Sequence, residues 1–88
     1  MIRILGDTFA KNYNEERLAL AVARAAKANR VPAGDADNLA AKVIAKLTGW
    51  LANKTEITAR ELRLQTATVL ADYDEDTAYL YENEKRLF

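Results

Sequence analysis

Between Leu39 and Leu51 the apolar residues Leu39, Ala40, Val43, Ile44, Leu47, Trp50 and Leu51 recur at helical spacing, so they fall on one wide face of a helix. A face that wide must be covered from more than one side, which predicts that this helix is the central, most buried one of the fold. Its start is expected at Asp35 or Asp37, either of which is a good cap, and its end near Ala52. Gly49 lies inside the pattern, where it costs roughly 1 kcal/mol against alanine. It reads as a close helix crossing or as early fraying.

Three shorter helices surround this one in sequence. Asn14 caps the first, with Glu15 and Glu16 in the turn where the helix dipole favours negative charge. Leu18, Ala21, Val22 and Ala25 form its buried stripe, while Arg17, Arg24 and Lys27 lie in more polar directions. The pattern fades at Asn29, and Arg30-Val31-Pro32-Ala33-Gly34 is the clear break, holding the sole proline. Asn53 to Ile57 reads as a link. Thr58 with Glu61 then forms a capping box that opens a helix near Ala59, whose inward face carries Leu62, Thr66, Val69 and Leu70. Asp72-Tyr73-Asp74 interrupts it, and Asp74 caps a last helix with Glu75 and Asp76 in its first turn and Lys85 and Arg86 near its other end.

At the N-terminus, MIRIL is β-prone, Gly6-Asp7 is a turn pair, and Phe9, Lys11 and Tyr13 alternate with smaller residues, which predicts a β-hairpin. Two strands alone are marginal in water, so the hairpin needs the helices beneath it. The expected fold is mainly α (α+β): an N-terminal β-hairpin packed on a bundle of four short helices, forming a single domain over residues 1–88.

Thirteen basic and thirteen acidic residues cancel, so no global field draws in nucleic acid or an anionic membrane, and any anion site must be local. The chain has neither cysteine nor histidine, which removes disulfides, thiol catalysis and imidazole acid–base chemistry together. No apolar run approaches the roughly 20 residues of a membrane span, and no signal-peptide pattern opens the chain. A cytoplasmic, non-catalytic domain is the expectation.

The order hairpin, helix, helix, helix, helix, with Asp74-Glu75 and Ala78-Tyr79-Leu80-Tyr81 after a threonine-capped helix, resembles the ATP-cone. This is the nucleotide-binding regulatory domain at the start of ribonucleotide reductase large subunits and in the repressor of their genes. In that family a hydrophobic residue, a Lys-Arg pair, Asp and Gly form the hairpin turn, and Phe-Asp, two variable residues and Lys-Ile open the first helix. With Gly6 on the family glycine, Arg3 stands for the lysine of the pair and Arg17 for the lysine that opens the helix. Thr58 falls on the family threonine of the third helix, and Ala78, Tyr81 and Lys85 follow its final-helix pattern. The chain departs in having Ile4 for the second basic residue, Leu5 for the acidic one, and about two extra residues between Gly6 and Tyr13.

The resemblance implies an allosteric effector site for ATP or dATP, with or without magnesium, between the hairpin and the helices. It implies Arg3 and Arg17 on the phosphates and Thr58 at the base or sugar, with Lys54 and Lys85 as further candidates and a reductase or repressor chain as partner. A triphosphate needs several cations or N–H donors converging on one spot. As solvated surface charges the same residues would contribute at most about 1 kcal/mol each through ion pairs. Tyr73, Tyr79 and Tyr81 read mainly as core, with stacking on adenine the alternative, and Trp50 reads as packing. Asp72, Asp74, Glu75 and Asp76 form a carboxylate cluster suited to magnesium or simply to capping. A different class of function is a small helical protein-interaction module without a ligand, ending in the apolar Leu87-Phe88. Nucleic-acid binding through Arg60, Arg63, Lys85 and Arg86 conflicts with the balanced charge.

Overall fold

The structure, a computed structural model, describes residues 2–6 and 10–84. The expectations placed on Phe9, Lys85, Arg86, Leu87 and Phe88, and on Asp7 at the hairpin turn, lie outside the described residues. The elements are β1 (Arg3–Leu5), β2 (Ala10–Asn12), α1 (Glu15–Ala28), α2 (Ala33–Leu51), β3 (Glu56–Thr58), α3 (Ala59–Ala71) and α4 (Glu75–Glu84). The protein is thus mainly α with a small β part, as the periodicities require.

α2 buries the face its pattern marks out: Ala40, Val43, Ile44, Leu47 and Leu51 are inside, and Leu39 and Trp50 are half-buried against them. Its neighbours are α1 and α3, and α4 packs between α1 and α3 from the other side, so the four helices close a ring. Leu18 and Val22 of α1, Leu62 and Leu70 of α3, and Ala78 and Tyr81 of α4 complete the core. Each fully buried Val or Leu side chain contributes about 1.5–3 kcal/mol, so these few large residues carry most of the stabilisation in an alanine-rich interior. The buried Thr66 keeps its place there because its hydroxyl donates to the Leu62 carbonyl at 2.7 Å.

α1 starts as predicted, with Asn14 Oδ1 accepting from the Arg17 N–H at 3.1 Å. It ends in a Schellman arrangement: Arg30 N–H donates to the Lys27 carbonyl and Val31 N–H to the Ala26 carbonyl, at 2.9 and 3.0 Å. Arg30 occupies the left-handed position there with φ 64°, a place glycine usually takes. The α3–α4 corner is also as predicted. Asp74 Oδ1 accepts from the N–H groups of Asp76 and Thr77 at 3.1 and 3.3 Å, capping α4. Its Oδ2 accepts from the Thr77 hydroxyl at 2.8 Å and from Asn29 Nδ2 at 3.2 Å, which ties the end of α1 to the start of α4.

Three expectations are corrected. α2 begins at Ala33 with Pro32 as its cap and no side-chain cap bond, and not at Asp35 or Asp37. Ala36 is fully buried and its N–H donates to the Pro32 carbonyl at 2.8 Å, so packing extends the helix upstream of the aspartates. Gly49 marks no close crossing: a Cβ added there meets nothing within 4 Å. The supposed link from Asn53 to Ile57 contains β3, which pairs in parallel with β1. The hairpin is therefore part of a three-stranded sheet of order β2-β1-β3, antiparallel on one side and parallel on the other.

Candidate functional site

β1 is the middle strand, so its residues set what each face of the sheet can do. Ile4 lies opposite Ile57 in register, and both are buried, sealing the sheet onto the end of the bundle. Because alternate residues point to opposite faces, Arg3 and Leu5 face away from the helices, and Arg3 is exposed. Arg3 pairs in register with Asn12 on one side and Glu56 on the other, and its N–H donates to the Thr55 carbonyl at 3.0 Å. Ile4, which stands where the resemblance has its second basic residue, is thus a core side chain filling the space between sheet and helices.

The topology distributes the remaining candidates over the sheet's edges. β2 leads into α1 at the Arg3 end, so Arg17, exposed in the first turn of α1, belongs to that end. Lys54 precedes β3 and enters at the same end, since Glu56 pairs with Arg3. Its ammonium lies 4.7 Å from the centre of the Trp50 ring, a cation–π contact that holds it against α2. Thr58 lies at the opposite end, in register with Leu5. At about 3.3 Å per residue and 4.8 Å per strand, the exits into α1 and α3 are diagonal corners about 12 Å apart. That span suits an extended ligand and not a lone phosphate. Lys85 lies outside the described residues.

Thr58 is committed to its capping box: its hydroxyl accepts from the Glu61 N–H at 3.0 Å, and Glu61 Oε1 accepts from the Thr58 N–H at 3.1 Å. Hydrogen bonds to the Glu61 carboxyl from the Thr58 backbone and then its side chain, with Lys54 adding, hold it below its ordinary range against the opposing effect of burial. The Asp74 carboxyl is also lowered: burial opposes ionisation, and the bonds from Thr77, Asn29 and Asp76 outweigh it. Asp74 is consumed by capping, and among the described residues no group of acidic side chains is arranged to hold a metal ion. Of the cluster at Asp72–Asp76, Asp74 serves as the cap of α4.

The tyrosines divide. Tyr81 is core and its hydroxyl is pushed up by burial, with Thr66 and Arg63 pulling the other way. Tyr73 and Tyr79 are exposed, at 40% and 68%, which corrects their reading as core. Tyr73 carries the Lys46 ammonium 5.3 Å from its ring centre. Tyr13, just before α1, has a buried hydroxyl without a hydrogen-bond partner among the described residues, and burial, then Glu15 and Tyr81, raise its pKa.

Two surface features escaped the sequence patterns. An open groove of about 1130 Å³ runs between α1 and α2 over Ala19, Ala23, Ala41, Ile44 and Ala45, with Glu15, Glu16 and Asp37 along it and, among the described residues, no lysine or arginine in its lining. On α3 and α4, Arg60, Arg63, Leu64 and Glu82 surround a small cleft of about 290 Å³. Neither includes Arg3, Arg17, Lys54 or Thr58. Compared with family models, curated proteins and solved structures, the chain matches none.

Proposed function

We propose that this chain is a non-catalytic regulatory domain of the ATP-cone kind, binding an adenine nucleotide across its three-stranded sheet as an allosteric effector. The observation that carries the reading is the gathering of three cationic residues at one end of the sheet, with the threonine-capped start of α3 at the other. Arg3 sits between the α1 entry with Arg17 and the β3 entry with Lys54. Phosphates would meet Arg3 and Arg17, which are exposed and suited to charge-assisted hydrogen bonds. The sugar or base would reach toward the start of α3 at Thr58. Since Ile4 and Ile57 fill the inner face, the ligand lies over the outer face and edges of the sheet. Binding energy spent on holding the sheet to the helix ends then biases how an attached or partner chain assembles.

A second reading, a protein-interaction module that has kept the fold without the ligand, is favoured by Ile4. An isoleucine sealed into the core at that position removes one phosphate contact and the space near it. The two readings separate in one titration. Melting with ATP, dATP and GTP, each with magnesium, gives a rise that grows with the logarithm of adenine nucleotide concentration if the effector reading holds. Arg3→Ala and Arg17→Ala must abolish that rise while leaving the melting temperature without nucleotide nearly unchanged.

A further inference from the structure

We propose that the α1–α2 groove is a docking site for a second copy of this chain, which inserts the Arg60–Arg63–Leu64 ridge of its α3. Among the described residues the groove offers carboxylates from Glu15, Glu16 and Asp37 and no cation, over a floor of alanines that allows close approach of another helix. At its edge Leu20 is 64% exposed. The ridge offers the complement. Residues 60, 63 and 64 stand three and four apart, so both guanidinium groups and a leucine that is 53% exposed share one helix face. Glu82 also lines the ridge's cleft, so the attraction is set by two arginines against one carboxylate there and three carboxylates in the groove. The groove is larger and more open than a small-ligand pocket, which fits a helix ridge better than a metabolite.

The closed ring of helices fixes the form of the assembly. The groove belongs to the α1–α2 pair and the ridge to α3 beside α4, so the two patches are separate surfaces of one chain. A contact between two different patches is heterologous, so each added copy leaves one groove and one ridge unfilled and the assembly runs past a pair. This assembly is independent of whether the sheet binds nucleotide.

Sedimentation of the intact chain from about 10 μM to 1 mM tests it, the range in which small interfaces act. The weight-average mass is expected to climb past twice the 9.8 kDa of one chain without a plateau, and to fall severalfold toward the monomer in about 0.5 M salt. Arg60→Ala with Arg63→Ala removes the ridge, and Ala41→Trp fills the groove without changing charge. All three positions lie at the surface or half-exposed, and an unchanged helical circular-dichroism spectrum checks the fold. Each variant alone is expected to stay monomeric. Their equimolar mixture is expected to stop at a dimer, because one partner retains the groove and the other the ridge. A monomeric wild type at 1 mM, a wild-type plateau at the dimer, or a mixture that stays monomeric overturns the proposal.

Discussion

Asp74 is where two helices are held by one side chain, and replacing it measures how much that corner contributes. In Asp74→Ala the cap of α4 is lost, which costs about 1 kcal/mol in typical hosts. The Asn29 Nδ2 contact at 3.2 Å is lost as well, and a hydrogen bond to a charged group contributes about 1.5 kcal/mol or more. The fully buried Thr77 hydroxyl still accepts from Asn29 at 3.3 Å but loses the carboxylate that takes its proton at 2.8 Å, so these two losses are a lower bound. The sum is about 2–3 kcal/mol, which in a chain of this size lowers the melting temperature by roughly 10–20 °C. Asp74→Asn retains an acceptor for the Asp76 and Thr77 N–H groups and is expected to cost about half as much. Because the folded pKa of Asp74 is depressed, its charge-dependent stabilisation is complete above the ordinary aspartate range and disappears as pH falls through the folded value. The gap between wild type and Asp74→Asn must therefore close below about pH 4. Thermal melts between about pH 2 and 6 read both effects. A loss in Asp74→Ala within about 0.5 kcal/mol of zero, the scale of an ordinary surface change, or a gap indifferent to pH, refutes the reasoning.

Other substitutions probe the same physics elsewhere. Gly49→Ala should stabilise by about 0.5–1 kcal/mol, since the added methyl meets nothing within 4 Å and α2 gains helix propensity; chemical denaturation reads it as a higher midpoint. Arg30→Gly should raise the melting temperature by a few degrees, up to about 1 kcal/mol, because a side chain is relieved of the left-handed region at φ 64°. Tyr13→Phe should be neutral or stabilising by up to about 1 kcal/mol in urea denaturation, since it deletes a buried hydroxyl that has no partner among the described residues.

Helix signals of two kinds were legible in the residues. Periodicity marked the buried faces of α2 and α3, and capping chemistry placed Asn14, Thr58 and Asp74 at helix starts where the structure has them. β3 was not legible, because three residues with one inward side chain carry no alternation and its partner is more than fifty positions away. The start of α2 was misplaced for a related reason: no side-chain cap announces it, and the burial of Ala36 decides it. Tyr73 and Tyr79 show that an aromatic on a short helix need not enter the core when alanines and Tyr81 already fill it. For the site, Arg3 and Arg17 were singled out by the resemblance, and the strand that lies beside Arg3 on its parallel side is β3, which the residues do not announce. The α1–α2 groove had no sequence signal, since alanine stripes look alike whether they face a neighbour or solvent.

The most direct test of the nucleotide reading is the melting temperature of the intact chain in ATP, dATP or GTP with magnesium, from about 10 μM to several mM. The expected result is a shift specific to ATP and dATP, reaching about 2.7 kcal/mol of added stability at a hundred times the dissociation constant and vanishing in Arg3→Ala. Identical melting in every nucleotide at every concentration contradicts it.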